Sequence, residues 1–339
     1  MKPQEQVWPF CQGVQILACR FGLASNREEL LPLLPGPIEV ASLCTDFHEV
    51  LPISWPQEEA DAYIFIADDP FSEPEYQTEG ASWFFRGPFV QLSQQASDRR
   101  FSFWGNQGFL YRLTLRELEK NHGIYSFHAC GLVDEVNNRL YLVVGGAGSG
   151  KTVYLLSGLS RGLRLFSTET VHFKLEAGEI NWFMGSLIDN IRLGTLRHDF
   201  PSFLPPELRR EEDLSREWQK KVALDLSAYR YSSSTLISPS CVLIFPRIEQ
   251  GREGFKAWRV EDRRKAARLL FTNLTEKIAP SFVLYDLLAI PGFDSPELAA
   301  ERLKAVYNLL AHPEVQPPLE VLSNPRDCWG DILNKNIKF

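Results

Sequence analysis

The stretch Gly145-Gly146-Ala147-Gly148-Ser149-Gly150-Lys151-Thr152 constrains the fold of this chain more than any other. Glycine reaches backbone angles closed to other residues, so a run this rich in it is a tight loop rather than helix or strand. Leu140–Val144 before it is an apolar strand candidate, and Thr152–Ser160 after it carries the apolar spacing of a helix, with Gly162 as the stop. The octet satisfies GxxxxGK[ST] in full. In a strand–loop–helix setting, the N–H groups of residues 146–151 turn inward and the helix N-terminus adds the positive end of its dipole. The result is a cradle for a phosphate. Lys151 then supplies a point charge for the β- and γ-phosphates, and Thr152 a hydroxyl for Mg²⁺.

The segment in front of the loop narrows the class. Cys130–Val136, Asn137-Asn138 and Arg139–Val144 read as a hairpin, so the loop follows its second arm. Asn tolerates the positive φ that such a turn requires. Antiparallel pairing at that point implies a mixed sheet, unlike the parallel sheet of common nucleotide hydrolases. A GTPase is disfavoured because the only Asn-Lys pair, Asn334-Lys335, lies at the extreme C-terminus. Phe282–Asp286 (FVLYD) is a weak Walker B candidate, ending in Asp286.

The rest of the chain supplies context. Its 339 residues suggest roughly two domains. A hydrophobic share of 44% and a charged share of 23% describe an ordinary globular protein. A net charge of −7 gives no global reason to bind nucleic acid or an anionic membrane. The apolar runs Tyr63–Ala67 and Val242–Phe245 are strand-sized, and Met1–Val7 has no apolar core of a leader, so a cytoplasmic protein without a membrane segment is expected. The six cysteines (Cys11, Cys19, Cys44, Cys130, Cys241 and Cys328) form no CxxC pair and read as reduced, mostly buried thiols. The histidines show no HExxH-type spacing, so no zinc site is expected.

Residues 1–122 read as a smaller β-rich accessory domain and residues 123–339 as the nucleotide-binding domain with a helical C-terminal part. In the first, Val14–Arg20, Ala62–Ala67, Trp83–Leu92, Arg100–Trp104 and Phe109–Leu113 are strand candidates, and Arg27–Leu34 a short helix stopped by Pro35-Gly36. Thr114–Asn121 is helix-prone and ends at His122-Gly123. The aromatic segments Trp83–Trp104 suit a core or interface better than base stacking, given the acidic chain. In the second, Leu163–Phe166 is a strand, and Val171–Leu175 with Ile180–Phe183 flank Ala177-Gly178 as a second hairpin. Pro201–Pro206 is a loop, Glu207–Leu226 is helix-prone, and Cys241–Phe245 is a core strand. Glu261–Ile278 is an amphipathic helix with Ala267, Leu270, Phe271, Leu274 and Ile278 on one face and the solvated Arg263, Arg264, Lys265 and Arg268 opposite. Ser295-Pro296-Glu297 starts a last long helix.

His128-Ala129-Cys130-Gly131-Leu132-Val133-Asp134, the hairpin, GGAGSGKT, Leu155-Leu156 and Arg161-Gly162-Leu163-Arg164-Leu165 together resemble the catalytic domain of HPr kinase/phosphorylase and its kinase-like relatives. That domain is distantly akin to phosphoenolpyruvate carboxykinase. The resemblance is tight over residues 126–175, loose to about 250, and suggestive for the N-terminal part. It implies an α/β fold: a mixed-sheet P-loop domain of HPr kinase/PEP carboxykinase type beside the smaller β-rich domain. It implies ATP and Mg²⁺ as ligands, with Gly145, Gly146, Ala147, Gly148, Ser149, Gly150, Lys151 and Thr152 holding the nucleotide. Lys151 and Thr152 match the phosphate-binding lysine and the metal-binding hydroxyl, and His128 matches a histidine near the active site. The family carries an Asp-Asp pair where this chain has Thr168-Glu169. Glu169 keeps a carboxylate able to hold Mg²⁺ or accept a proton. Thr168 cannot act as a base. Asp189 and Arg192 stand roughly where the family has a Glu and Arg motif, and read as structural residues.

These readings imply a phosphotransferase moving the ATP γ-phosphate to a hydroxyl, with Lys151, Glu169 and His128 as catalytic candidates and Thr152 and Glu169 as metal ligands. The acceptor is a protein serine or a small metabolite, and family members tend to form homo-oligomers. The alternative is an ATP-binding regulator or pseudokinase without turnover, suggested by Thr168. A loop retained as a relic in an interaction protein is the third, and an intact Lys-Thr pair argues against it.

Overall fold

The computed structural model describes residues 8–32, 46–56, 60–210, 216–249 and 251–333. The turn Pro35-Gly36, Leu33, Leu34, Cys44 and Asn334-Lys335 lie outside them. The architecture is mixed α/β with mixed sheets and a β-rich N-terminal region. Contacts divide it into two units: Met1–Gly123 with Lys277–Ser295, and Ile124–Glu276 with Pro296–Phe339. The N-terminal stretch therefore has a second piece, Lys277–Ser295, drawn from far along the chain.

The first unit holds a six-stranded sheet in the order Val50–Ile53, Phe10–Ile16, Cys19–Ser25, Ala62–Asp68, Ser82–Gly87, Glu75–Glu79. Its centre pairs in parallel and its edges antiparallel. Several expected elements differ. Val14–Arg20 is not one strand: Leu17 turns with a φ of 51°, and two strands flank it. Among the described residues of Arg27–Leu34, Glu28–Leu30 forms a short 3₁₀ turn. The strand at Trp83 stops at Gly87 and gives way to the helix Phe89–Gln95. Arg99–Phe101 is a 3₁₀ turn, and Phe109–Glu117 a helix rather than a strand. Aromatic bulk, not strand alternation, set the pattern there. Phe103 packs edge-on against Phe85 and Phe89, with ring centroids 4.8 and 5.0 Å apart, and Phe109 joins the same cluster. The helix Phe109–Glu117 is buried on nearly all sides, its polar Arg112, Thr114 and Glu117 included.

The second unit is built on a nine-stranded sheet. The order runs Thr235–Ile237, Glu179–Phe183, Thr170–Glu176, Ile124–Asp134, Arg139–Val144, Ser240–Ile248, Leu319–Ser323, Lys256–Arg259, with Arg164–Ser167 also pairing Ile124–Asp134. Arg139–Val144 pairs antiparallel with Ile124–Asp134 and parallel with Ser240–Ile248, so the sheet is mixed at the loop strand itself. The connection between its hairpin arms is residues 135–138, wider than an Asn-Asn pair, with Asn138 supplying the positive φ of 46°. The second hairpin turns at Ala177 and Gly178, with φ of 52° and 82°.

Alternation along the central strands explains their near-continuous apolar sequence. Leu140, Leu142 and Val144 join one core with Ala267, Leu270, Leu274, Val306 and Leu309 of the helices Arg263–Thr275 and Pro296–Ala311. Tyr141 and Val143 face the other core with Tyr154, Leu155 and Trp329. A sheet covered on both faces needs apolar side chains in both directions. The helix Arg263–Thr275 starts at Asp262, whose carboxylate accepts from the N–H groups of Arg264 and Lys265. Phe271 is only half-buried on it, and Ile278 falls beyond its end. Glu207–Leu226 is not a helix. Its ends are a 3₁₀ turn, Pro206–Arg210, and a strand, Lys221–Asp225, paired with Ile188–Arg192, while residues 211–215 lie outside the described ones. Val222 and Leu224 pack against the second core, which outweighs the helical bias of the charged residues around them.

Among the described residues no helix is long and apolar enough to cross a membrane. Of the described cysteines Cys19, Cys130, Cys241 and Cys328 are buried thiols, and Cys11 is exposed.

Candidate functional site

The loop residues 145–150 link the strand Arg139–Val144 to the helix Lys151–Ser160. Gly148 and Gly150 take φ of 79° and 102°, angles that glycine supplies without strain. A Cβ on Gly150 would stand 2.4 Å from Ile248, at the end of the strand Ser240–Ile248, and one on Gly145 2.5 Å from Ser149 Oγ, so the loop is packed tightly against that strand and against itself. Ser149 Oγ is buried and has no hydrogen-bond partner among the described residues.

Three of the predicted side chains meet beside this loop. The Lys151 ammonium donates to the carbonyls of Gly145 (2.8 Å) and Gly146 (3.1 Å) and contacts His128 Nε2 at 2.9 Å. Glu169 Oε2 lies 2.9 Å from the same ring nitrogen, and Glu276 Oε2 lies 3.0 Å from Nδ1. The imidazole is thus held between two carboxylates and an ammonium. Its Nε2 can serve only one neighbour at a time: unprotonated it accepts from Lys151, protonated it donates to Glu169. Withdrawal of the ammonium toward another anion hands that nitrogen to Glu169.

His128 is placed by the switch of partners along its strand. It is the last residue paired with Thr170–Glu176, and Ala129 is the first paired with Arg139–Val144. The Asn273 side chain closes the junction: Oδ1 accepts from His128 N–H (2.9 Å) and Nδ2 donates to its carbonyl (3.0 Å). We expect Asn273→Ala to lower stability by about 2 kcal/mol, because it removes the acceptor of the buried His128 N–H, while the His128 carbonyl keeps the Gly145 N–H. A denaturant midpoint unchanged from wild type would contradict this.

Thr152 brings in a residue that sequence reading undervalued. Its hydroxyl donates to Asp189 Oδ2 at 3.2 Å, which leaves the oxygen lone pairs available to a cation. Asp189 is buried at the start of the strand Ile188–Arg192. Burial first, and the Glu169 charge second, push its carboxyl up to about 7. The Asp189 carboxylate beside that hydroxyl, with the Glu169 charge close enough to act on it, offers oxygen donors suited to a hard divalent cation, whose charge would favour the ionised forms.

Other candidates fall elsewhere. Arg192 is exposed, on the same short strand as Asp189. Asp286 belongs to the first unit, as a turn residue with a φ of 62° between the short strands Phe282–Leu284 and Leu288–Ile290. Its carboxylate accepts from the N–H (2.8 Å) and hydroxyl (2.7 Å) of Ser97, so the Walker B reading of Phe282–Asp286 is replaced. Thr168 turns its hydroxyl to the carbonyls of Ser186 (3.2 Å) and Ile188 (2.7 Å), a scaffold contact that holds the backbone leading to Asp189.

Glu276 was missed altogether. It stands one residue past the helix Arg263–Thr275, and a Cβ on Gly146 would lie 3.5 Å from its carboxylate. The only local signal is Asn273-x-x-Glu276, spacing that puts both residues on one helical face. Comparison of the chain with protein-family models and with curated proteins finds no match.

Proposed function

We propose that the second unit is a Mg·ATP-dependent phosphotransferase of HPr kinase type that delivers the γ-phosphate to a hydroxyl. The observation that carries this reading is the convergence of His128, Glu169 and Lys151 at a GGAGSGKT loop whose Thr152 is bonded to Asp189. A loop that follows the second arm of an antiparallel hairpin also supports the kinship with HPr kinases rather than with parallel-sheet hydrolases.

In this reading the loop N–H groups and Lys151 hold the β- and γ-phosphates, and Thr152, Glu169 and Asp189 hold Mg²⁺. The ion supplies charge neutralisation, which phosphoryl transfer needs more than covalent help. With Lys151 drawn to the phosphates, His128 Nε2 is free to share a proton with Glu169. Glu276, on the opposite ring nitrogen, fixes the orientation of the imidazole. The Glu169–His128 pair then accepts the proton of the attacking hydroxyl.

A second reading, a nucleotide-binding regulator without turnover, draws on the scaffold role of Thr168, which leaves Glu169 as the one carboxylate at the Thr168-Glu169 position. Phosphate release from Mg·ATP separates the two. The first reading expects turnover that falls by at least about 100-fold in Glu169→Gln while calorimetric binding of ATP persists. Binding without any turnover in the wild type would favour the regulator. Absence of ATP binding would sink both.

A further inference from the structure

We infer that Cys19, Asp61 and His122 form a metal site in the first unit, with a donor set suited to Zn²⁺. The Cys19 sulfur, an Asp61 carboxylate oxygen and a His122 ring nitrogen all lie within 4.8 Å of one another. They arrive from three separate stretches of chain. Cys19 opens the strand Cys19–Ser25, and Asp61 stands just before Ala62–Asp68, the parallel neighbour of that strand. His122 closes the turn Leu118–His122, which Gly123 ends with a φ of 63°. Ligands this far apart in sequence leave no spacing motif, so the site is invisible to a search for HExxH or CxxC.

A thiol, an imidazole and a carboxylate offer sulfur, nitrogen and oxygen together, the mixture that Zn²⁺ accepts and that Mg²⁺ and Ca²⁺ do not. The carboxylate is already oriented. Arg20 N–H donates to Asp61 Oδ2 (2.8 Å), leaving Oδ1 to meet His122 Nε2 (2.9 Å) and Asn121 Nδ2 (2.8 Å). Such outer contacts are what hold first ligands in place at metal centres. Asn121 Nδ2 also donates to Glu117 Oε2 (3.0 Å), so a second carboxylate, paired with Arg116, stands one amide away. Cys19 is fully buried, and its thiol makes a long 4.0 Å contact with the Thr114 carbonyl. Burial, then the charges of Asp61 and Glu117, push that thiol up. On binding, Cys19 releases one proton to solvent and the thiolate takes the metal. Asp61 Oδ1 and His122 Nε2 add lone pairs in place of their mutual hydrogen bond, the imidazole proton moving from Nε2 to Nδ1. Water or Glu117 completes the set. The bound ion would tie the sheet to the end of the helix Phe109–Glu117.

The test is a Co²⁺ titration of the full-length chain, reduced and first stripped of metal with a chelator. We expect one equivalent to develop a thiolate-to-cobalt charge-transfer band and the visible spectrum of a four-coordinate ion, both abolished by added Zn²⁺; cobalt held by oxygen donors alone gives no such band. Cys19→Ser and His122→Gln are each expected to lose the charge-transfer band. His122 is partly exposed and Gln keeps a polar group there, so this second variant reads the site even where the buried Cys19→Ser fails to fold. No thiolate band in the wild type overturns the assignment. So does a band of unaltered strength in folded His122→Gln. Neither outcome depends on the nucleotide site.

Discussion

On the proposed function, Lys151→Ala is expected to weaken Mg·ATP binding by about 100-fold, measured by calorimetry, and to remove the rise in melting temperature expected of the wild type with ATP. The side chain is a pure donor held at the loop by two carbonyls and the His128 ring. A phosphate offers it charge-assisted bonds worth more than those neutral ones. Removing the ammonium also removes the positive charge that offsets Glu169 and Asp189, so an incoming anion meets net repulsion. Equal affinity in wild type and variant would mean that the loop does not bind phosphate.

Asp189→Asn is expected to act in opposite directions on stability and on ligand binding. The Asp189 carboxyl is raised from 3.8 to about 7 by burial and by Glu169. A raised carboxyl favours folding with its proton on. The stability it lends is complete below about pH 4, declines as pH rises toward 7, and is lost above that. In metal-free buffer the wild type should therefore lose about 2–4 kcal/mol between pH 4 and pH 8 from this group alone. Asn carries no charge to bury and still accepts the Thr152 hydroxyl. The variant should then melt higher than wild type at pH 8 and no higher at pH 4. The same variant should lose most of the Mg²⁺ dependence of ATP binding, because Thr152 and Glu169 remain without their third oxygen donor. A pH-independent difference in melting temperature would show that Asp189 does not titrate in this window.

Both predictions turn on residues whose legibility in the sequence differed for physical reasons. Lys151 and Thr152 were readable because a phosphate loop is a contiguous device: glycine angles, a preceding strand and a following helix all lie within some twenty residues. His128 and Glu169 were reached through resemblance, and the fold sets both beside Lys151. Asp189 was visible as a residue but not as a partner. Its contact with Thr152 crosses 37 positions and depends on where the strand Ile188–Arg192 lands. Asp286 misled in the opposite way: an acid after an apolar run is a common local pattern, and its place in the fold is a turn bonded to Ser97.

By itself the sequence determined the local devices of this protein. These are the GGAGSGKT loop, the antiparallel hairpin before it and the Ala177-Gly178 hairpin after it, each set by short-range sterics or hydrogen bonding. Only the tertiary structure decided which distant groups share a point in space. Glu276 meets His128 across 148 positions, and Lys277–Ser295 joins the N-terminal unit. It also settled that Phe109–Glu117 is a buried helix and Lys221–Asp225 a strand. Side-chain burial and strand pairing between remote segments outweigh local propensity by more than any single-residue preference, and they leave no period in the chain to read.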